Sequence, residues 1–377
     1  VLQAGGDEDA DVSVAGAATE VVEASERLII DTGDGKIRVS RARTSVPEYF
    51  PSPKANGAPA RIALDLLTRE VSILAVALDR TWTVIDPHGG IADRRVGLLR
   101  SVVSPRRLLS NSSVWLLKMA VHAAREDLPV EREFTRLAFK HVANAVGFRP
   151  ETIRESLERC FVEARSPIPF DFVADTGLLS LVLPEVDALR GFEKTSPVHH
   201  KDLWDHTVRV ALQIEPEPAL RWTALLHDVG KVQSRRLEAR RVSFLRHEDI
   251  GAFLFHGISA RLAFPEELSQ RVAYLIRNHS RINHYGDEWT DTAIRRLVRD
   301  TEHLDDLLRF SRADVTSRIP GRVEALHRLL DDLRGRMVEI EARDSEPPLL
   351  PRGLGNDLME RFELSPGPLI GIIRQYF

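Results

Sequence analysis

Four side chains in the second half of the chain have the types and spacing of a metal site: His206, the adjacent pair His227 and Asp228, and Asp314. Imidazole nitrogens and carboxylate oxygens are donors for a divalent cation, and this mixture suits Mn, Ni, Zn, Fe or Mg to differing degrees. A lone histidine on an apolar helix face is ordinarily a satisfied core residue. The stretch Leu225-Leu-His-Asp-Val-Gly-Lys231 differs, because it closes an apolar helix with an imidazole and a carboxylate side by side. Burying a carboxylate without a cation or hydrogen bonds costs on the order of several kcal/mol. His247 and His279 are further candidates, to hold a second metal, to bind a phosphate, or to serve the structure alone.

Helices must carry these groups. Leu203, Thr207, Val210, Ala211 and Ile214 form one apolar stripe, and His206 falls on that side. A second helix is predicted from Pro218, a residue suited to a first turn, with Leu220, Ala224 and His227 at successive turns and Gly230 placed to end it. Asp228 would then face the negative end of that helix dipole, which a metal would offset. Asp314 lies along the stripe Leu304, Leu307, Leu308, Ser311 and Val315. His279 continues Val272, Leu275 and Ile276, and His247 precedes a helix beginning near Asp249.

The first 100 residues or so read as mixed α/β. Asp11-Val-Ser-Val predicts a strand, Thr19 to Ala24 a short helix, and Arg27 to Asp31 with Lys36 to Ala42 a hairpin around Gly33-Asp-Gly. Residues 46 to 60 carry four prolines and read as a loop, and Val84 starts a strand that runs into a turn at Gly89-Gly90. From about residue 104 the periodicity is helical, as in Leu116, Leu117, Ala120, Val121 and Ala124, or Ile153, Leu157, Cys160 and Phe161. Arg343 to Arg352 reads as a linker.

At 377 residues the chain is long enough for about two to four domains. Its 52 basic and 56 acidic residues leave a net charge of −4, so nucleic-acid contact would need local basic patches. Arg235, Arg236, Arg240 and Arg241 form one such patch, and Arg295, Arg296 and Arg299 another; solvated charge is the plainer reading of each. The single cysteine, Cys160, excludes an internal disulfide and a cysteine-based zinc site, which fits a reducing cytoplasm. No apolar run approaches the ~20 residues of a membrane helix; Val71 to Leu78 reads as core.

Together, His206, His227-Asp228 and Asp314 resemble the H…HD…D signature of the HD-superfamily phosphohydrolases. That resemblance implies a metal that polarises a phosphate and activates water, with Lys231 helping to neutralise the phosphate and His247 and His279 beside it. The chain also resembles, over essentially its whole length, the class II tRNA nucleotidyltransferases and poly(A) polymerases that carry an HD domain. Asp9-Ala-Asp11 is similar to their metal-binding DxD, and Ile85-Asp-Pro-His-Gly-Gly-Ile-Ala-Asp93 to their IDPxGGxxD. Gly177-Leu-Leu and Leu183-Pro-Glu185 resemble the neck. Tyr285-Gly-Asp-Glu-Trp-Thr-Asp291, Arg312-Ala-Asp-Val-Thr-Ser317 and Ser365-Pro-Gly-Pro368 resemble the body and tail.

The first half departs from that pattern where transfer chemistry belongs. The GGxVRD phosphate-binding motif is absent, the chain starting near Gln3-Ala-Gly-Gly6, and a truncated head is the expectation. Arg38 stands where a third carboxylate is expected, and a cation there would repel magnesium. The RRDFTINA motif reads Thr68-Arg-Glu-Val-Ser-Ile-Leu-Ala75, with Leu74 in the amide position. The base-selecting EDxxR appears as Asn111-Ser-Ser-Val-Trp115.

The expected fold class is α+β. A small truncated, degenerate α/β nucleotidyltransferase-like head (1–103) precedes a mainly α-helical, RNA-binding-like neck (104–192), an HD metal-binding domain (193–320) and a helical tail (321–377). The expected surviving activity is a metal-dependent phosphohydrolase or phosphodiesterase acting on RNA 3′ ends or nucleotides, with the tRNA 3′ end as partner and no membrane. One alternative is retained CCA or A addition with Asp9 and Asp11 as metal ligands. Another is a non-catalytic RNA-binding protein.

Overall fold

The computed structural model describes residues 20–24, 27–31, 36–40, 65–78, 83–192, 203–238, 241–317, 319–345 and 354–375. The strand at Asp11, the Gly33 turn, the loop 46–60, Asp9, Asp11 and Arg240 lie outside them. The chain divides into two compact units, residues 1–279 and 280–377.

In the first unit, β1 (Glu20–Ala24), β2 (Arg27–Asp31) and β3 (Lys36–Ser40) form an antiparallel sheet in that order, Val22 opposite Ile29 and Ile29 opposite Arg38. The helix expected over Thr19 to Ala24 is therefore corrected to a strand at Glu20–Ala24. So short a segment cannot nucleate a helix alone, its two valines favour extended backbone, and β2 pairs with it from Glu20 to Ala24.

A second pair, β4 (Ala77–Leu78) and β5 (Val84–Ile85), leads into α1 (Gly90–Val96). Here the Ile85-to-Asp93 motif has a structural explanation. The Asp86 carboxylate accepts from the backbone N–H of Gly90 at 2.7 Å and of Ile91 at 3.0 Å, capping the helix. A Cβ on Gly90 would lie 2.0 Å from the Ser72 carbonyl oxygen, so only glycine allows this approach. Asp93 accepts from the Ser72 hydroxyl at 2.6 Å and pairs with Arg100 at 3.1 Å.

The helical part that follows comprises α2 (Pro105–Asn111), α3 (Val114–Glu126), α4 (Arg132–His141), α5 (Pro150–Glu163), α6 (Ile168–Asp175), α7 (Leu178–Val182) and α8 (Pro184–Asp187). Leu116, Met119, Ala120 and Ala123 on α3 and Leu157, Cys160 and Phe161 on α5 are buried, as their spacing predicts. The Cys160 thiol donates to the Ala120 carbonyl at 3.4 Å.

Next come α9 (Leu203–Gln213), α10 (Pro218–Leu226), α11 (Lys231–Ser234), the hairpin β6 (Arg235–Glu238) and β7 (Arg241–Phe244), α12 (His247–Arg261) and α13 (Glu266–Asn278). The Glu217 carboxylate caps α10 by accepting from Leu220 N–H at 3.1 Å, and every residue from Ala219 to Leu226 is buried. Trp222 anchors α10 to α5: its Nε1 donates to Glu158 at 3.0 Å and its ring meets Phe161 edge-on at 5.6 Å.

In the second unit, α14 (Asp291–Asp300) and α15 (Leu304–Asp314) pack on the long α16 (Arg322–Ser345), and α17 (Leu354–Arg361) pairs with α18 (Pro368–Gln375). α16 runs past Arg343, where a linker was expected, to Ser345. Arg336 on α16 donates to the Trp289 carbonyl at 2.6 Å and to Asp291 at 3.2 Å, while the Tyr285 hydroxyl donates to Asp332. The Tyr285-to-Asp291 motif thus ties its loop to α16. Small sheets beside a mainly helical body make the fold α+β, and no described helix is long and apolar enough to cross a membrane.

Candidate metal centre

α10 stops at Leu226, so His227 and Asp228 occupy the turn after the helix rather than its last turn. Gly230 has a different task from the helix stop expected of it. A Cβ there would lie 2.0 Å from the His247 carbonyl oxygen, so the glycine lets the start of α12 pack directly on this turn. His206 comes from α9, His247 opens α12, and His279 follows the last residue of α13.

These elements converge. His206 Nε2 lies 3.3 Å from His227 Nε2 and 3.6 Å from Asp228 Oδ2, and His227 Nε2 is 3.3 Å from the same oxygen. On the other side of the carboxylate, His247 Nε2 lies 3.7 Å from Asp228 Oδ1 and 3.3 Å from His279 Nε2. Among the described residues two groups of three potential ligands therefore share Asp228: His206, His227 and Asp228, and Asp228, His247 and His279. Lys231 Nζ reaches Asp228 Oδ2 at 2.8 Å.

Three of the imidazoles are oriented by one device. His227 Nδ1 donates to the Ala224 carbonyl at 2.9 Å, His247 Nδ1 to Phe244 at 3.0 Å, and His279 Nδ1 to Ile276 at 2.8 Å. Each acceptor lies three residues earlier, and for His227 and His279 it is a carbonyl in the last turn of the preceding helix. A carbonyl only accepts, so each Nδ1 carries a proton and each ring turns its Nε2 toward Asp228 and its neighbours. Metal-ligating histidines are oriented in the same way.

The electrostatics agree. Burial disfavours an ionised Asp228, yet His227, Lys231 and His206 outweigh burial and hold its carboxyl well below the usual range. Burial lowers the His247 imidazole below its ordinary value, with Asp228 opposing, which favours the neutral ligand form. Asp228 Oδ1 is buried and makes no hydrogen bond. Ligands held about 2.0–2.2 Å from one ion stand roughly 3 to 3.5 Å apart, close to the 3.3 to 3.7 Å spacings found. The residues fit a divalent ion.

Asp314 ends α15 in the second unit and is partly buried. Among the basic candidates, Arg235 stacks over Phe192 at 4.7 Å and Arg236 is exposed. Arg241 lies in β7, Arg295 forks onto Asp344 at 2.7 and 2.8 Å, Arg296 is exposed, and Arg299 pairs with Asp300 at 2.7 Å. Sequence reasoning missed Glu248, whose Oε2 is 3.2 Å from His247 Nδ1, and the three orienting carbonyls. A histidine placed just past a helix end was the available signal for two of those carbonyls.

The fold and the histidine–aspartate cluster define an HD-domain protein, and residues 203–318 match the HD domain family. The multifunctional CCA protein of Leptothrix cholodnii is 30% identical over 321 residues, a match covering 83% of this chain and 72% of that protein. The chain belongs to the family of class II tRNA nucleotidyltransferases and poly(A) polymerases, a family of enzymes that includes the CCA-adding proteins. The multifunctional CCA protein of an Acidovorax species is 29% identical over 271 residues, covering 68% of this chain. That match spans 63% of the Acidovorax protein, less than two thirds of its length. The structure of the Bacillus stearothermophilus CCA-adding enzyme in complex with CTP shares the fold, with a TM-score of 0.53 at 15% identity, over 94% of this chain and 76% of that one.

Proposed function

We propose that the cluster of His206, His227 and Asp228 binds a divalent ion and that the protein hydrolyses phosphate esters of RNA 3′ ends or nucleotides. The observation that carries this reading is the set of buried donors facing one another across Asp228, its Oδ1 without a hydrogen bond. A bound ion would polarise a phosphate and supply an activated water. Lys231, already on Asp228, neutralises phosphate charge at the rim. His247 and His279 take a second ion or contact the phosphate. Asp314 is assigned as a further ligand on the sequence pattern alone. The RNA partner, with the tRNA 3′ end as its site of action, is inferred from the family.

Release of phosphate monoester from 2′,3′-cyclic nucleotides in the presence of Mn, Ni or Mg tests this reading. Loss of turnover in His227→Ala and Asp228→Ala proteins is expected; turnover equal to the parent's removes its basis.

The name of the Leptothrix relative favours a second reading, in which the chain adds nucleotides to tRNA 3′ ends with Asp9 and Asp11 holding the metal. Against it stand Arg38, Leu74 and the uncharged Asn111-to-Trp115 segment. Incubating tRNA lacking CCA with labelled CTP or ATP decides the matter, and no extension by a protein that includes the sequence upstream of Val1 rules it out.

A further inference from the structure

Lys231 Nζ lies 2.8 Å from Asp228 Oδ2, the oxygen that His206 and His227 also face at 3.6 and 3.3 Å. Among the described residues Asp228 is the one carboxylate with which Lys231 pairs. An ammonium has three donors and no lone pair, so it cannot join the imidazoles as a ligand. It competes with a cation for that oxygen, and a divalent ion there would repel it. The same ammonium stands over a second group, the ring of Phe244, at 5.8 Å from the centroid. At that range an aromatic face still attracts a cation. The flexible lysine stem lets Nζ exchange one seat for the other.

The ring of Phe244 is itself held in place. Phe192, which follows α8, meets it at 6.2 Å and 45°, and Arg235 covers Phe192 at 4.7 Å. Phe244 in β7 pairs with Arg235 in β6, so the hairpin fixes its backbone. Its carbonyl accepts from His247 Nδ1 at 3.0 Å, and His247 Nε2 faces the other oxygen of Asp228 at 3.7 Å. Phe244 therefore meets both the cation and an imidazole that flank the carboxylate.

We propose that Phe244 is a positioning residue of the metal centre, its ring the seat that Lys231 takes up on yielding Asp228 Oδ2 to a divalent ion. Lys231 is thereby kept beside the ion, where its charge meets the substrate phosphate, and is not expelled into water. This rests on the metal-dependent phosphohydrolase reading above and gives a part in it to a ring that the reading leaves unused.

The test is a double-variant cycle, read first by calorimetric titration of the full chain with Mn. Lys231→Met removes the competing charge and should tighten Mn binding about tenfold. Phe244→Leu keeps apolar bulk and the backbone carbonyl but removes the ring face, so Lys231 stays on Asp228. Mn binding should then weaken about threefold, as loss of an exposed cation–π contact would produce. Phe244→Tyr, which keeps a face, should recover it. In the Lys231→Met background Phe244→Leu should leave Mn affinity unaltered, because the group it acts through is gone. With 2′,3′-cyclic AMP, Phe244→Leu should raise KM about threefold and hold kcat within about twofold of the parent.

Equal weakening of Mn binding by Phe244→Leu in both backgrounds would make the ring an ordinary core contact and overturn the proposal. Mn affinity unchanged or lower in Lys231→Met would overturn it too, and that result stands even if Phe244→Leu does not fold. If the parent binds Mn but hydrolyses no cyclic nucleotide, the phosphohydrolase reading fails by itself and the seat is judged by Mn affinity alone. A parent that binds no divalent ion overturns both.

Discussion

The Nε2 atoms of His247 and His279 face each other at 3.3 Å, and both rings spend their Nδ1 proton on a backbone carbonyl. When both rings are neutral, no proton lies between those nitrogens and their lone pairs repel. A cation removes the repulsion. Replacing one partner by a ring without nitrogen, His279→Phe, should leave ion-free stability within about 1.5 kcal/mol of the parent and shrink the stabilisation given by Mn or Ni. Thermal melts with EDTA and with each ion check this, and an unchanged ion-dependent gain would contradict it.

Gly230 carries α12 against the turn that holds His227 and Asp228. Gly230→Ala puts a Cβ into the His247 carbonyl and is expected to cost about 2–3 kcal/mol, with weakened ion binding because His247 moves with its backbone. Denaturant unfolding and ion titration of the same variant measure the two effects.

A third expectation concerns acid. Burial alone would raise the Glu70 carboxyl, but hydrogen bonds from His122 at 2.8 Å and Lys118 at 2.6 Å outweigh it and bring the pKa to about 2 from 4.5. A folded-state value below the unfolded one contributes stability that is complete above pH 4.5 and lost as pH falls toward 2. With allowance for its partial exposure the contribution is ~2 kcal/mol. Glu70→Gln should flatten the acid limb of a plot of unfolding free energy against pH. An unaltered slope in that window would show that the carboxylate is not held as described.

Asp86 belongs to a motif with transferase resemblance, yet its carboxylate caps α1. Asp86→Ala should lower stability by about 1 kcal/mol and leave ion binding unchanged. Melting curves and ion titrations separate those outcomes.

The helices that carry His206, His227 and Asp228 are legible in the sequence because their signals are local. Leu203, Val210 and Ala211 mark the buried side of α9, and His206 lies on it; Pro218 begins α10 as expected. What escaped was set by packing between distant segments. Glu20 to Ala24 reads as part of a helix until β2 pairs with it. Gly230 reads as a helix stop until α12 arrives against it, and nothing near Arg246 in sequence reveals that Arg277 shares Asp249 with it. That His206, His227, His247 and His279 meet around Asp228 required the fold.

Metal analysis of protein purified without chelator or added ion, beside Asp228→Ala purified identically, addresses the centre itself. Bound divalent metal approaching one ion or more per chain is expected in the parent, with most of it gone from the variant. A parent empty of transition metal and magnesium, whose melting temperature no divalent ion raises, would contradict a metal role for the His–Asp cluster.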